Sequence, residues 1–389
     1  MTKHTHILVI EELAWPYGGG GELATYLWVR LLSRRYRVTL LTAKIGKKEK
    51  NVLEECGVEV VHAPWIDVSS RHRVWATMER GSEKLRKIIR DRADIVLVAR
   101  LGYPALRIAA EEGVVSINHL HDYVAIDPSG VRPSRRYTRA PLILLLGPRR
   151  YLKRLAATPL WRRYISLLDL ASASVFVSAR QRDITCRARP RLCRNASVIH
   201  NPLPPLEAAE PPRWLPRRFV LYGGGPSRLK GAHIVRRLAG HLVEHGLYVV
   251  ATGFPVKHPT EKGGVVYAPR LSHGAYLATL REAEALLFPS IQEEPLPYAV
   301  VEAVLLGKPV LATRVGGVPE ILGEEYPLYI RSFSNHDLAS VAASLEKLGE
   351  EAAAHARRRS QKLLSDWSPE KLLDRFESLL SLVEEVKNA

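Results

Sequence analysis

The sequence predicts an α/β protein built from two doubly wound parallel sheets. Short, nearly continuous apolar runs alternate with amphipathic segments, which is typical of parallel strands covered by helices on both faces. This alternation occurs twice within the 389 residues. Between the two occurrences lies a proline-rich segment, residues 204–217, which cannot form a regular helix or a central strand. We therefore expect two domains joined by a proline-rich hinge.

The first half opens with an apolar strand at residues 6–10. A glycine loop at 18–21 and a helix at 22–33 follow it. Five further apolar runs predict strands at residues 37–43, 58–64, 93–99, 114–120 and 173–179. Residues 1–203 are therefore predicted to be the N-terminal domain.

The pattern restarts after the hinge, with a helix beginning near Leu229. Strands are predicted at residues 218–224, 248–253, 265–269, 285–290 and 310–313. Residues 218–368 are the predicted C-terminal domain. Residues 369–389 are predicted to form an amphipathic helix.

Composition favours a cytoplasmic globular protein. Hydrophobic residues make up 46% and charged residues 25% of the chain, and no apolar run is long enough to span a bilayer. The N-terminal residues lack the features of a signal peptide. Three cysteines favour free thiols, with a Cys186–Cys193 bridge as the alternative. Scarce glutamine with abundant arginine and proline is a compositional indication of a thermophile.

The formal net charge of +17 favours anionic partners. The positive charge is concentrated, because residues 128–168 contain ten lysines and arginines and no acidic residue. Apolar side chains alternate with arginines between residues 132 and 163, as in a helix lying on an anionic membrane. A solvated basic face and a nucleic-acid surface are the alternatives, although no recognised nucleic-acid module is present.

The most informative motif spans residues 293–313. Glu294 and Glu302 lie eight positions apart, and Pro295 is expected to open the helix that carries Glu302. Residues 307–309, Gly-Lys-Pro, end that helix before a buried strand. This arrangement predicts one carboxylate at the mouth of a ligand site and a second about two turns deeper.

A second motif, residues 222–235, joins a strand to a helix through three glycines. Glycines let the backbone approach a ligand closely, and a helix N-terminus favours anions. Arg228 and Lys230 lie between the glycines and the helix, where a guanidinium and an ammonium suit a diphosphate.

With the turn Gly316-Gly317-Val318-Pro319-Glu320, these motifs resemble the retaining, nucleotide-sugar-dependent glycosyltransferases of family 4. The resemblance implies the GT-B fold, in which two Rossmann-like domains face each other across a cleft. It also implies that the C-terminal helix, residues 369–389, packs back on the N-terminal domain. It further implies that Glu294 holds the transferred sugar, Glu302 the ribose and Lys230 the leaving phosphate. It places the remaining donor-binding positions at Arg228, Gly224, Gly225, Leu296 and Tyr298.

In the N-terminal half, the same resemblance assigns Gly20, Gly21 and Glu22 to a loop on the acceptor side. It also implies that His121, followed by Asp122, contacts the transferred sugar, with His119 as its neighbour. Together with Glu294 and Lys230, His121 is the third predicted catalytic residue.

Two positions depart from the family pattern. Gly225 stands where the family usually has an arginine, five residues before the lysine, and Arg228 could replace that arginine from a shifted position. Pro297 has no backbone N–H to offer a ligand. In addition, the sequence contains no Asp-x-Asp pair, and neither a metal nor a cofactor is expected.

The function implied is transfer of a sugar from a UDP, GDP or ADP sugar to an acceptor hydroxyl, with retention of configuration. The acceptor would be a glycan, lipid-linked or membrane-associated, and the protein would lie at the inner face of the membrane. A specific nucleic-acid partner is not expected. The alternatives are a nucleotide-sugar epimerase of the same fold and a non-catalytic basic protein that binds membrane or nucleic acid.

Overall fold

A computed structural model describes residues 5–388 as two compact units. The first unit comprises residues 5–131, 152–204 and 367–388. The second comprises residues 132–151 and 205–366. Each unit contains one seven-stranded sheet with helices on both faces, which confirms the predicted pair of doubly wound sheets.

The first sheet is entirely parallel, with strand order β3-β2-β1-β4-β5-β6-β7. Its strands are β1 His6–Ile10, β2 Arg37–Thr42, β3 Glu59–His62, β4 Ile95–Val98, β5 Val115–Leu120, β6 Ala173–Phe176 and β7 Ala196–Val198. Residues of β1 and β4 are almost wholly buried, as their continuous apolar sequences require.

Helices α1 to α5, α7 and α8 cover this sheet, and α6 belongs to the second unit. Their bounds are α1 Gly20–Leu32, α2 Lys47–Glu55, α3 Arg71–Arg80, α4 Ser82–Arg92, α5 Tyr103–Glu111, α6 Leu142–Leu146, α7 Pro148–Ile165 and α8 Ala179–Ala188. Two 3-10 helices follow α7 and α8, at Ser166–Leu170 and Pro190–Cys193. One face of the sheet packs on an aromatic core in which Trp75 stacks on Tyr164, with ring centroids 5.0 Å apart.

The C-terminal helix α14, Pro369–Asn388, packs on the first unit. Its Phe376 ring lies 6.1 Å from that of Trp28 and 6.2 Å from that of Tyr36. Arg35 donates a 2.8 Å hydrogen bond to Asp374 at the edge of this contact. The first unit therefore depends on residues from both ends of the described chain.

The second sheet has the order β10-β11-β9-β8-β12-β13-β14 and is parallel except for β10. Its strands are β8 Phe219–Tyr222, β9 Tyr248–Ala251, β10 Thr260–Lys262, β11 Val265–Tyr267, β12 Ala285–Phe288, β13 Val310–Thr313 and β14 Tyr329–Ile330. Gly263 and Gly264 both have positive φ and form the two-residue turn that makes β10 antiparallel to β11. The helices are α9 Ala232–Val243, α10 His273–Glu282, α11 Tyr298–Leu305, α12 Val318–Leu322 and α13 Asn335–Asp366.

Three sequence-based expectations need correction. Helix α11 begins at Tyr298 rather than at Pro295, because Pro297 disfavours helical backbone at Leu296 before it. Cys186 and Cys193 form a disulfide, where free thiols were the first expectation. Residues 132–151 lie with the second unit, although the predicted N-terminal domain included them.

Candidate functional site

The glycine segment after β8 is held by a tyrosine hydroxyl. Tyr222, the last residue of β8, donates a 3.0 Å hydrogen bond to the carbonyl of Gly225 and lies 3.3 Å from the carbonyl of Lys230. Burial, and to a lesser extent the charge of Glu294, raises the pKa of Tyr222, so that its hydroxyl stays protonated as a donor. The loop between strand and helix is thus fixed at both ends.

Two glycines in this loop cannot be replaced without displacing backbone. Gly225 has a φ of +58°, and a Cβ there would stand 3.0 Å from the carbonyl oxygen of Gly253. Gly231 precedes α9 with a φ of +85°, and its Cβ would meet the Pro289 carbonyl oxygen at 2.1 Å. The side chains of Arg228 and Lys230 remain exposed to solvent between them. The predicted phosphate loop therefore has a defined backbone and two accessible cations.

Glu294 lies beside this loop. The amide N–H of Ile291 and the hydroxyl of Ser290 both bond the carbonyl of Leu229, at 2.8 and 3.3 Å, and so join the Glu294 segment to the residue before Lys230. The Glu294 carboxylate accepts a 2.7 Å hydrogen bond from the Gln292 side chain and is partly exposed. Lys230 and Glu294 therefore both lie beyond the carboxyl ends of the neighbouring strands β8 and β12 in the second sheet.

The neighbouring Glu293 has a different position. It is 7% exposed, and its carboxylate accepts the backbone N–H of Gly316 at 2.7 Å. Gly317 donates its own N–H to the backbone carbonyl of Glu294 at 2.9 Å. A Cβ on Gly316, whose φ is +50°, would lie only 1.8 Å from that same carbonyl oxygen. The Gly316-Gly317 turn thus fixes the backbone of Glu294 through a hydrogen bond, and the Glu293 carboxylate fixes the turn.

Glu302 is deeply buried in α11, at 3% exposure. Its Oε1 lies 2.7 Å from Nε2 of His273, at the start of α10. Burial raises the pKa of the Glu302 carboxyl, and the hydrogen bond from His273 opposes part of that rise. Glu302 lies four positions after the first residue of α11, about one turn into the helix. The predicted depth of two turns is therefore too large.

Helix α10 contacts both Glu302 and the glycine loop. Its His273 pairs with Glu302, and the half-buried ring of Tyr276 lies against Gly223, where a Cβ would stand 2.9 Å from the ring. The charge of Glu302 adds to the effect of burial in raising the pKa of Tyr276. Leu296 and Tyr298, two further predicted donor-side residues, are both 8% exposed. Tyr298 is the first residue of α11, and Leu296 lies two positions before it. The predicted donor residues thus lie in one contiguous region of the second unit. This region consists of α11 and the loops that follow β8 and β12.

The predicted acceptor-side residues gather in the first unit. Helix α1 begins at Gly20, and the carboxylate of Glu22 accepts the N–H of Gly19 at 2.8 Å. Glu22 also forms an ion pair with Arg100, which follows β4. A Cβ on Gly21 would stand 3.5 Å from the Cβ of His121, so the glycine lets α1 approach the end of β5. Glu22 is therefore a loop-fixing residue that is 6% exposed.

His121 and His119 form a pair with ring centroids 4.2 Å apart. Burial, followed by the neighbouring His119 and Arg100, lowers the pKa of His121 well below its ordinary value. Burial alone lowers the pKa of His119 to about 3. Both imidazoles are therefore neutral near pH 7, and His121 can donate or accept a hydrogen bond without carrying charge.

Several supporting residues were not predicted. Gln181 donates its side-chain amide to the carbonyls of Leu120 and Asp122, each at 3.1 Å, and so fixes the backbone around His121. Arg100 was missed because it lies far in sequence from its partner Glu22 and outside any recognisable motif, and its position just after a strand was the only signal available. Tyr222 lies within the motif of residues 222–235, but the sequence does not show that its hydroxyl bonds the loop.

Comparison with known proteins gives a family match within the second unit. Residues 261–362 match the family described as Glycosyl transferases group 1. No curated protein sequence matches the chain significantly.

Solved structures resemble the whole chain at low sequence identity. HepE (Alr3699) of Anabaena, in complex with UDP and glucose, is 18% identical with a TM-score of 0.68, over 97% of this chain and 100% of that one. Sucrose-phosphate synthase of Thermosynechococcus elongatus is 14% identical with a TM-score of 0.70, over 98% and 100%. WaaG, a glycosyltransferase involved in lipopolysaccharide biosynthesis, is 15% identical with a TM-score of 0.61, over 95% and 98%. The chain thus has the GT-B fold with two Rossmann-like sheets, as predicted. A segment of its C-terminal unit matches the glycosyl transferases group 1 family, in agreement with the predicted glycosyltransferase.

Proposed function

We propose that this protein moves a sugar from a nucleoside diphosphate sugar to an acceptor hydroxyl with retention of anomeric configuration. The observation that carries the proposal is the joining of two loops. The carbonyl of Leu229, next to Lys230, accepts hydrogen bonds from Ser290 and Ile291, close to Glu294. An exposed ammonium and a partly exposed carboxylate are thereby held together at a strand-end position where ligands bind in such sheets.

Lys230 stabilises the departing diphosphate in the proposed reaction. Its ammonium, the guanidinium of Arg228 and the N-terminus of α9 provide positive charge without a metal. The bond between the anomeric carbon and the diphosphate oxygen breaks, and the acceptor oxygen attacks from the same face. The acceptor proton passes to the leaving diphosphate, so charge and protons balance within the two substrates.

Glu294 and Glu302 bind hydroxyl groups in the proposed complex. Glu294 accepts hydrogen bonds from the transferred sugar, and Gln292 orients its carboxylate at 2.7 Å. Glu302 binds the ribose of the donor. Since His273 already lies 2.7 Å from Oε1 of Glu302, the histidine holds the carboxylate in place and leaves recognition of the ribose to Oε2.

The first unit supplies the proposed contact to the transferred sugar and its acceptor. Because His121 is neutral, it can form a hydrogen bond with the transferred sugar without adding a charge near the leaving diphosphate. Gly20 and Gly21 keep the start of α1 free of side chains. Glu22, paired with Arg100, fixes the shape of the adjoining loop.

The donor we propose is a UDP sugar. Structures of Anabaena HepE contain UDP, glucose or UDP-glucose, and that protein shares the fold of this chain. A thermal-shift screen over UDP, GDP, ADP and their common sugars tests the base, because a bound nucleotide raises the melting temperature by mass action. A shift with GDP or ADP and none with UDP would replace the uridine assignment.

The acceptor we propose is a lipid-linked or membrane-associated glycan, and we place the protein peripherally at the cytoplasmic face of the membrane. The support is the stretch of residues 128–168, which has ten cationic residues and no acidic one. Transfer to a lipid-extract acceptor, compared with transfer to soluble sugars, tests this part separately from donor use.

The variants Lys230→Gln and Glu294→Gln test the catalytic assignment. Each should lower kcat/KM for sugar transfer by about 100-fold or more, because a charge or acceptor aimed at the reacting sugar is lost. Lys257→Gln and Glu325→Gln change the same side-chain types at exposed positions of the same unit and should retain activity. Wild-type turnover in both site variants would refute the assignment. A product in which the sugar is epimerised and remains on the nucleotide would refute the transferase.

A further inference from the structure

Helix α7 presents its apolar side to solvent. Leu152, Leu155, Ala156, Pro159 and Leu160, here called the leucine stripe, follow the spacing i, i+3, i+4, i+7, i+8 that places side chains on one helix face. All five are exposed, and the leucines are 63%, 46% and 36% exposed in sequence order. A helix of a globular protein normally turns such a face toward the core.

The opposite face of α7 is more polar, and it is the face that contacts the protein. Arg154 forms an ion pair with Asp127 at 2.6 Å, and the indole N–H of Trp161 donates to the carbonyl of Val124 at 2.8 Å. The buried Tyr164 stacks on Trp75. These contacts lie within the first unit and fix the rotation of the helix about its axis. The leucine stripe is therefore held outward by specific interactions.

Basic residues accompany the leucine stripe. Lys153, Arg162 and Arg163, here called the basic rim, are all exposed on the same helix. No acidic residue occurs between Asp127 and Asp169 to offset them along the chain. Arg163 lies 3.9 Å from the carboxylate of Glu79, which offsets part of this charge. The surface therefore combines a row of exposed leucines with a surplus of positive charge.

These properties select one kind of partner. A second copy of the chain, docked symmetrically, would place the basic rim against itself in a molecule of net charge +17. Single-stranded nucleic acid would use the cations, but it is bound through aromatic stacking rather than through leucines. An anionic lipid bilayer uses both parts, since acyl chains accept the leucines and lipid phosphates attract the cations.

We propose that the outer face of α7 is a membrane-docking surface, in which the leucine stripe enters the interfacial layer of an anionic bilayer and the basic rim contacts lipid phosphates. In residues 5–388 no helix has the length and apolar character of a transmembrane span, so the proposed association lies on the surface of the bilayer. The inference deepens the membrane placement proposed above by naming the surface that binds, and it rests on that placement. It does not depend on sugar transfer, because binding to lipid needs no donor.

Vesicle co-sedimentation of the full chain tests the proposal. We expect binding to phosphatidylcholine vesicles that contain phosphatidylglycerol, at low salt, and little binding to vesicles of phosphatidylcholine alone. The triple variants Leu152→Ser/Leu155→Ser/Leu160→Ser and Lys153→Gln/Arg162→Gln/Arg163→Gln should each weaken binding by about tenfold or more.

Matched controls separate this surface from general hydrophobicity and charge. Val243→Ser/Leu364→Ser removes exposed apolar side chains elsewhere, and Arg187→Gln/Arg191→Gln/Arg194→Gln removes exposed arginines outside α7. Both should bind vesicles as the wild type does. No binding to anionic vesicles, or equal binding by both α7 variants and the wild type, would overturn the proposal. Binding that is lost in the arginine and lysine variant, kept in the leucine variant and displaced by single-stranded RNA would assign the surface to nucleic acid instead.

Discussion

Replacing the buried His119 should reduce the acid sensitivity of the first unit by an amount that the structure specifies. His119 is 3% exposed on β5, and its ring packs edge-on against Trp28 at a centroid distance of 5.7 Å. Burial lowers its pKa from 6.5 to about 3 in the folded protein. Phenylalanine keeps an aromatic ring at this position and removes the titrating group.

The sign follows from proton binding. Below pH 6.5 the unfolded chain protonates His119 while the folded protein does not, so stability is complete above that pH and is lost as pH falls toward the folded pKa. At about pH 5, roughly 1.5 pH units of this window have been crossed, which corresponds to about 2 kcal/mol. Wild-type protein should therefore lose about 2 kcal/mol more than His119→Phe between about pH 7.5 and about pH 5.

Hydrogen exchange of the peptides that contain β5 measures the opening free energy of this region at each pH. The decrease in opening free energy between the two pH values is compared for wild type and His119→Phe. This comparison cancels any effect of the substitution that is independent of pH. His258→Phe, at an exposed position of the second unit, is the matched control for loss of a histidine. An equal drop in wild type and His119→Phe would refute the argument that this imidazole is buried neutral.

Three further predictions concern glycines and the phosphate loop. Gly316→Ala should destabilise the protein by more than about 2 kcal/mol and weaken nucleotide binding, because the new Cβ would lie 1.8 Å from the Glu294 carbonyl at a φ of +50°; a variant with wild-type melting and nucleotide affinity would contradict the placement of this turn. Gly240→Ala and Gly349→Ala lie in helices α9 and α13 with no heavy atom within 4 Å of the added Cβ, so each should raise the free energy of unfolding by about 0.5–1 kcal/mol, and a loss in urea denaturation would count against these helices. Tyr222→Phe removes the hydroxyl that bonds the Gly225 carbonyl, and it should cost about 1 kcal/mol of stability and lower nucleotide affinity in calorimetry, whereas unchanged affinity would show that the loop does not need this tie.

The strands were the most predictable part of the fold. A continuous apolar run such as residues 6–10 has few alternatives in a parallel sheet, and β1 occupies those residues. The short strand β10 was missed because Thr260–Lys262 is wholly exposed and has no apolar signal. The start of α11 was misplaced because the effect of Pro297 on the residue before it outweighed the helix-opening preference of Pro295.

The site was predictable in its charged groups and less so in its supports. Motif spacing identified Lys230 and Glu294, which the structure joins through the carbonyl of Leu229. It could not distinguish Glu293 from Glu294 by burial, nor reveal that His273, 29 positions before Glu302, is the partner of that carboxylate. Contacts over such separations depend on the fold and leave no local pattern in the sequence.

The C-terminal helix has a consequence for biosynthesis. Residues 205–366, most of the second unit, leave the ribosome before α14, which supplies the Phe376 contact to Trp28 and the Asp374 contact to Arg35. Helix α1 therefore lacks its contacts with α14 until residues 205–366 have been synthesised. The first unit is thus completed last during translation, although all of its strands are made first.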